Sequence, residues 1–217
     1  MSEELRIDDA VTRWSPGDRA GRPLVVLLHG YGADEHDLFG LVPFLPEGIA
    51  VASVAAPLTP PWPTPGRSWY PIEGMGARSP EATTSAARAF LACLDAAAPD
   101  TPVALLGFSQ GAAVSLQALR LEPERFGAVV ALSGYVTPGD LPNDEALQSL
   151  RPAVFWGRGT NDDVIPAELV AHTAQWLPHH SDLSGRVYSG LTHSISEDEL
   201  LDVRAFLDKW VSRTSAT

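Results

Sequence analysis

The sequence predicts an α/β fold: a single domain on a mostly parallel central sheet, with helices on both faces. Two observations carry that reading. Short apolar runs alternate with longer helix-like segments along the chain, the pattern of strands joined by helical crossovers. No internal repeat and no linker divides the 217 residues, a length ample for one sizeable core, so one domain is expected over 1–217.

Each element follows from its residues. Leu24 to Leu28 reads as a buried strand, followed by a turn containing Gly30 and Gly32. Asp37 to Leu45 reads as a short helix closed by Pro46, and Ile49 to Ala55 is a second apolar run. Five prolines between Pro57 and Pro65 exclude a helix or a central strand and leave a stiff surface loop. Pro80 to Ala98 is a long helix, with Ser79 as N-cap, Pro80 at the first helical position and Pro99 closing it. Val103 to Leu106 is a strand and Gly111 to Leu121 a helix; Ala128 to Leu132 and Ala153 to Trp156 are further strands. Pro166 to Leu177 is a helix, Arg186 to Tyr188 a short strand, and Glu197 to Val211 the final helix.

Composition narrows the partners. With 27 acidic and 15 basic residues the net charge is −12, which repels polyanions and speaks against nucleic acid and anionic membranes. Cys93 is the single cysteine, so no internal disulfide can form; within its alanine-rich helix it reads as a small buried hydrophobe. Residues 1–20 carry charges throughout and lack the apolar segment of a signal peptide. No run reaches the ~18 apolar residues that span a bilayer. A cytoplasmic protein without stable membrane insertion is expected, as a monomer or a homodimer.

The chemistry is concentrated in a few loops. Gly107-Phe108-Ser109-Gln110-Gly111 matches G-x-S-x-G, a pattern that means little alone in a chain with 18 glycines. Its setting gives it meaning: an apolar strand runs straight in and an alanine- and leucine-rich helix runs straight out. That is the nucleophile elbow of an α/β-hydrolase, where a strained turn lifts the serine hydroxyl above the sheet. The flanking glycines are needed because a side chain at either position would strike the neighbouring strand or helix.

A serine hydroxyl needs a base. In this fold the partners follow in the order Ser, then Asp or Glu, then His, each in a loop after a later strand. Of six histidines, His29 and His36 precede the serine, His172 lies within a helix, and His179 and His180 follow that helix's end at Pro178. His193 alone sits after a late strand and before the last helix. The acid belongs one strand earlier, where Asp162 and Asp163 stand side by side before Pro166. Chemistry alone does not choose between them. Two backbone N–H groups should meet the charged oxygen of a tetrahedral intermediate. Gln110, next after the serine, supplies one; His29-Gly30-Tyr31-Gly32 is placed to supply the other through Tyr31. His29 itself reads as a structural residue holding this loop.

Together these motifs resemble the bacterial phospholipase/carboxylesterase family, which includes acyl-protein thioesterases and small carboxylesterases. The resemblance runs from about Leu24 to the last helix and includes His29 to Glu35, Gly107 to Gly111, Ser133-Gly134-Tyr135, Gly159 to Pro166 and Gly190 to His193. It implies a catalytic aspartate in a G-x-x-D-x-x-[VI]-P pattern, which selects Asp162, and it maps nucleophile, base and oxyanion donors onto Ser109, His193, Gln110 and Tyr31. Ser68-Trp69-Tyr70 resembles the aromatic segment bordering the family's acyl cleft, making Trp69 and Tyr70 candidate substrate-binding residues. Ala112-Ala113, where relatives often carry a glycine first, and the Pro57–Pro65 loop depart from the pattern.

No metal site and no nucleotide cofactor is implied, since HExxH, G-x-G-x-x-G and Walker A motifs are absent. The expected reaction is hydrolysis of a small-molecule ester or acyl substrate through an acyl-serine. Thioester and lysophospholipid substrates share that triad, as does a perhydrolase; the non-enzyme rival is a binding module that kept the fold and lost the chemistry.

Overall fold

A computed structural model describes residues 5–8, 11–72 and 79–214 of the chain. Its centre is a seven-stranded sheet of order β1-β3-β2-β4-β5-β6-β7. The strands are β1 (Arg13–Trp14), β2 (Leu24–Leu28), β3 (Ala50–Val54), β4 (Val103–Phe108), β5 (Phe126–Leu132), β6 (Ala153–Gly159) and β7 (Asp182–Tyr188). Only β1 is antiparallel, pairing with β3 at one edge; β2 to β7 run parallel. The helices are α1 (Pro80–Ala97), α2 (Gln110–Leu121), α3 (Asp144–Leu150), α4 (Ala167–His180) and α5 (Glu197–Thr214). None of the described helices is long and apolar enough to cross a membrane.

Parallel strands covered on both faces must be apolar on both, which is why β2 and β3 are continuous apolar or small-residue runs. Alternate residues of β2 divide between two layers. Leu24, Val26 and Leu28 join a core with residues of α1 and α2 such as Phe90 and Leu116. Val25 and Leu27 face the other layer, where Val203, Leu207 and Trp210 of α5 cover the sheet. The described residues thus form helix, sheet and helix layers, with the carboxyl ends of the strands left to carry loops.

Several sequence expectations shift. The predicted helix at Asp37 to Leu45 is a 3-10 segment, Leu38–Phe44; Gly40 and Pro43 within it weaken regular helix. Pro178 does not end α4, which continues to His180. A proline in the last turn removes one backbone bond, and the open carbonyls beyond it are taken by side chains. Arg151 donates to the Pro178 and Ser181 carbonyls at 3.1 and 2.6 Å, and the Ser181 hydroxyl to Leu177 at 2.7 Å. Cys93 is half-buried rather than fully buried. The proline-rich segment is a surface loop as expected, with Trp62 93% exposed on it.

Candidate active site

The strand order changes direction at β2, with β3 on one side and β4 on the other. Open α/β sheets place ligands in the crevice outside the strand ends at such a point. Ser109, after β4, and the His29 to Gly32 loop, after β2, both open into it.

Ser109 has φ 54° and ψ −114°, a left-handed conformation costly for a residue with a side chain. The turn is so tight that a Cβ on Gly107 would stand 2.5 Å from the Ala112 nitrogen, and one on Gly111 would collide with the Leu28 carbonyl. Both glycines are therefore required. On the loop opposite, a Cβ on Gly30 would lie 3.6 Å from Ser109 Cβ, so the β2 loop passes directly beside the serine.

The structure brings three of the predicted side chains into one chain of hydrogen bonds. His193 Nε2 stands 2.9 Å from Ser109 Oγ. Its Nδ1 stands 2.8 Å from Asp162 Oδ2, and Phe108 backs the imidazole with ring centroids 4.9 Å apart. The other Asp162 oxygen accepts the Val164 and Ile165 N–H groups at 3.0 and 3.3 Å. Burial pushes the Asp162 carboxyl up; the hydrogen bond and charge of His193, with those two N–H groups, outweigh it and hold the carboxyl below its ordinary range. Asp163 is exposed and forms no hydrogen bond or ion pair among the described residues. An ionised Asp162 accepts a hydrogen bond from Nδ1–H, which leaves the Nε2 lone pair facing the serine hydroxyl.

Of the two expected backbone donors, Gln110 follows Ser109 at the start of α2, and Tyr31 follows Gly30 on the loop beside the serine. Neither the Gln110 N–H, at the first position of α2, nor the Tyr31 N–H donates a hydrogen bond among the described residues. The first is open because the leading N–H groups of any helix lack intrahelical acceptors.

Sequence reasoning missed how these donors are held apart. The Gln110 side chain accepts the Trp69 N–H through Oε1 at 2.8 Å and donates to the Tyr70 carbonyl through Nε2 at 2.6 Å. The Trp69 indole in turn donates to the His29 carbonyl at 2.9 Å. His29, fully buried, accepts the Ala56 N–H at Nε2 (3.1 Å) and donates from Nδ1 to the Gly30 carbonyl (2.7 Å). Those partners require the neutral Nδ1–H tautomer. Burial lowers the pKa of His29 and favours that form, against the pull of the Gly30 carbonyl and of Asp37, Asp34 and Glu35. A buried strut thus runs from the elbow through Trp69 to the β2 loop. Trp69 and Tyr70, expected at the acyl cleft, are 0% and 1% exposed. Their polar atoms join this strut and Tyr135, whose hydroxyl lies 2.6 Å from that of Tyr70.

Among the described residues, one group brings three potential metal-ligand atoms within 4.8 Å of one another: Asp34, Glu35 and His36, on the surface beyond Gly32. His36 already pairs with both acids, at 3.4 and 3.1 Å.

Comparison with known proteins places the chain in a family and a fold. The sequence profile of the phospholipase/carboxylesterase family matches residues 13–211. Acyl-protein thioesterase 1 of Saccharomyces cerevisiae is 34% identical over 110 residues, 49% of this chain and 48% of that protein. Its counterpart in Candida albicans is 35% identical over 113 residues, covering 49% of each. The chain spans about half the length of the curated relatives it matches. Among solved structures, esterase PE8 superposes with TM-score 0.75 at 28% identity, over 94% of this chain and 99% of that one. The Bacillus cereus carboxylesterase shares the fold with TM-score 0.78 at 20% identity, over 92% and 93%.

Proposed function

The chain belongs to the phospholipase/carboxylesterase family, and from that premise we propose that it is a serine hydrolase cleaving carboxylic esters of small molecules through an acyl-serine. The observation that carries the proposal is the continuous Asp162–His193–Ser109 relay at 2.8 and 2.9 Å.

In this reading His193 Nε2 takes the Ser109 proton as Oγ attacks the ester carbonyl. The carbonyl oxygen gains charge between the Tyr31 and Gln110 N–H groups, which have no other acceptor among the described residues. As the tetrahedral intermediate collapses, the proton passes from His193 to the departing alkoxide and the acyl group stays on Ser109. A water gives its proton to the same nitrogen, attacks the acyl carbon and releases the acid, returning the proton to Ser109. Asp162 holds the imidazole in one tautomer and faces the imidazolium at each attack. No described residue calls for a cofactor in any of these steps.

An acyl thioester is the second reading, favoured by the names of the curated relatives. The same relay serves it, with a thiolate as leaving group. Cytoplasmic location, and a monomeric or homodimeric state, belong to the same proposal; the lone cysteine suits a reducing compartment.

The test is a panel of p-nitrophenyl esters of increasing acyl length, run beside acyl-CoA thioesters, on wild type and Ser109→Ala. Ester turnover that drops at least ~10³-fold in the variant is expected, because only binding and the oxyanion donors remain. Thioester turnover far above ester turnover would move the assignment to the second reading. Equal activity of the two proteins would remove both.

A further inference from the structure

A half-open pocket lies away from Ser109, between α1 and the β1-β3-β2 edge of the sheet. Its volume is about 250 Å³. Val26, Ala52 and Val54 wall it on the sheet side, Phe90 and Leu94 on the helix side. Small residues contribute to the lining from both sides, Ala52 on β3 and Cys93 and Ala97 on α1. An apolar cavity of roughly 150 Å³ already takes a benzene-sized guest, so this one has room for an aliphatic chain of moderate length.

One part of the lining is chemically different. Thr12, Trp14 and the exposed Arg19 also belong to it, and Arg19 is its only charged member among the described residues. Its guanidinium rests over the Trp14 ring, 4.0 Å from the centroid, which orders the cation without neutralising it. Arg19 forms no ion pair with an acid among the described residues, although the chain carries a net charge of −12. An apolar pocket whose lining includes one exposed guanidinium, without an acidic partner among the described residues, fits a ligand with an aliphatic tail and an anionic head.

We propose that this cavity binds a medium-chain aliphatic carboxylate, its tail between α1 and the sheet and its head at Arg19. The site is separate from the Ser109 crevice. Phe90, in its wall, meets Trp69 edge-on with centroids 6.3 Å apart, and Trp69 stands between it and His29.

Cys93, in the wall and the only cysteine of the chain, reports occupancy of this cavity and not of the crevice. The experiment follows N-ethylmaleimide capture of Cys93 by intact mass, with sodium decanoate or decanol, in wild type and Arg19→Ala. Decanoate is expected to slow capture, and the concentration giving half-protection should rise about tenfold in Arg19→Ala, the worth of one charge-assisted hydrogen bond. Decanol should protect more weakly in wild type and to the same extent in both proteins. Calorimetric titration of decanoate into the same two proteins gives a second reading, with the same tenfold difference expected. Decanoate binding that ignores Arg19, or no protection and no Arg19-dependent heat, would overturn the proposal.

Discussion

The two adjacent aspartates show how a single residue acquires its role. Asp162 binds the Val164 and Ile165 N–H groups through one oxygen, which turns the other toward His193. Asp163 stands one residue further along the loop, exposed. Nothing in residue chemistry separated them; the local turn ahead of Pro166 does, and only coordinates or a known pattern reveal which carboxylate it serves. Replacing Asp162 with Asn should lower kcat by about 10²- to 10⁴-fold, because the amide favours the wrong imidazole tautomer. Asp163→Asn should cost less than about tenfold, as for a surface loop residue. Steady-state kinetics on both folded variants decides the matter, and a larger loss at Asp163 would reverse the assignment. The positioning residues were less legible still. Gln110 side-chain partners lie 40 and 41 residues away in sequence, so no local pattern announces them.

Among elements, those with strong local signals were readable. Buried parallel strands are continuous apolar runs, and the elbow announces itself by strand, glycine, serine, glycine and helix. Elements defined by their neighbours were not. β1 is two residues long and exists because it pairs with β3. α3 is seven residues, without a side-chain N-cap bond, and Asp144 at its start is fastened to buried Arg120 at 2.7 Å. β7 is an edge strand with no fully buried residue, and its start at Asp182, before the predicted Arg186, is set by pairing with β6. The strut between α2 and the β2 loop makes an element-level prediction. Trp69→Phe keeps the buried ring but leaves the His29 carbonyl unsatisfied, which costs about 1–3 kcal/mol. The thermal midpoint should fall, and kcat should drop about tenfold with KM nearly unchanged, as expected when an oxyanion donor is misplaced. A purely structural residue would lower the midpoint and leave kcat of the folded fraction alone.

At the scale of the whole molecule, two carboxyls set opposite pH limits. Asp162 is held below its ordinary value, so its contribution to stability is present above the usual carboxylate pKa of ~3.9 and is lost as pH falls through the lower folded value. Glu199, fully buried on α5 against Gly157, has neither carboxylate oxygen within hydrogen-bond distance of a partner. Burial pushes it up to about 7, against the nearby Ser196 N–H and with Asp202 adding to the rise. Its contribution is complete below the unfolded value of about 4.3 and is lost as pH rises through about 7. Glu199→Gln should therefore gain on wild type by several degrees in thermal midpoint between pH 5 and about 8.5; parallel curves would refute the buried-acid reading. The proposed function turns on one bond, the acyl link to Ser109. Intact-mass analysis after reaction with a fluorophosphonate, followed by peptide mapping, tests it most directly. One adduct per chain, on the peptide carrying Ser109 and absent from Ser109→Ala, is the result expected; an unmodified wild-type chain, or an adduct that persists in the variant, would contradict it.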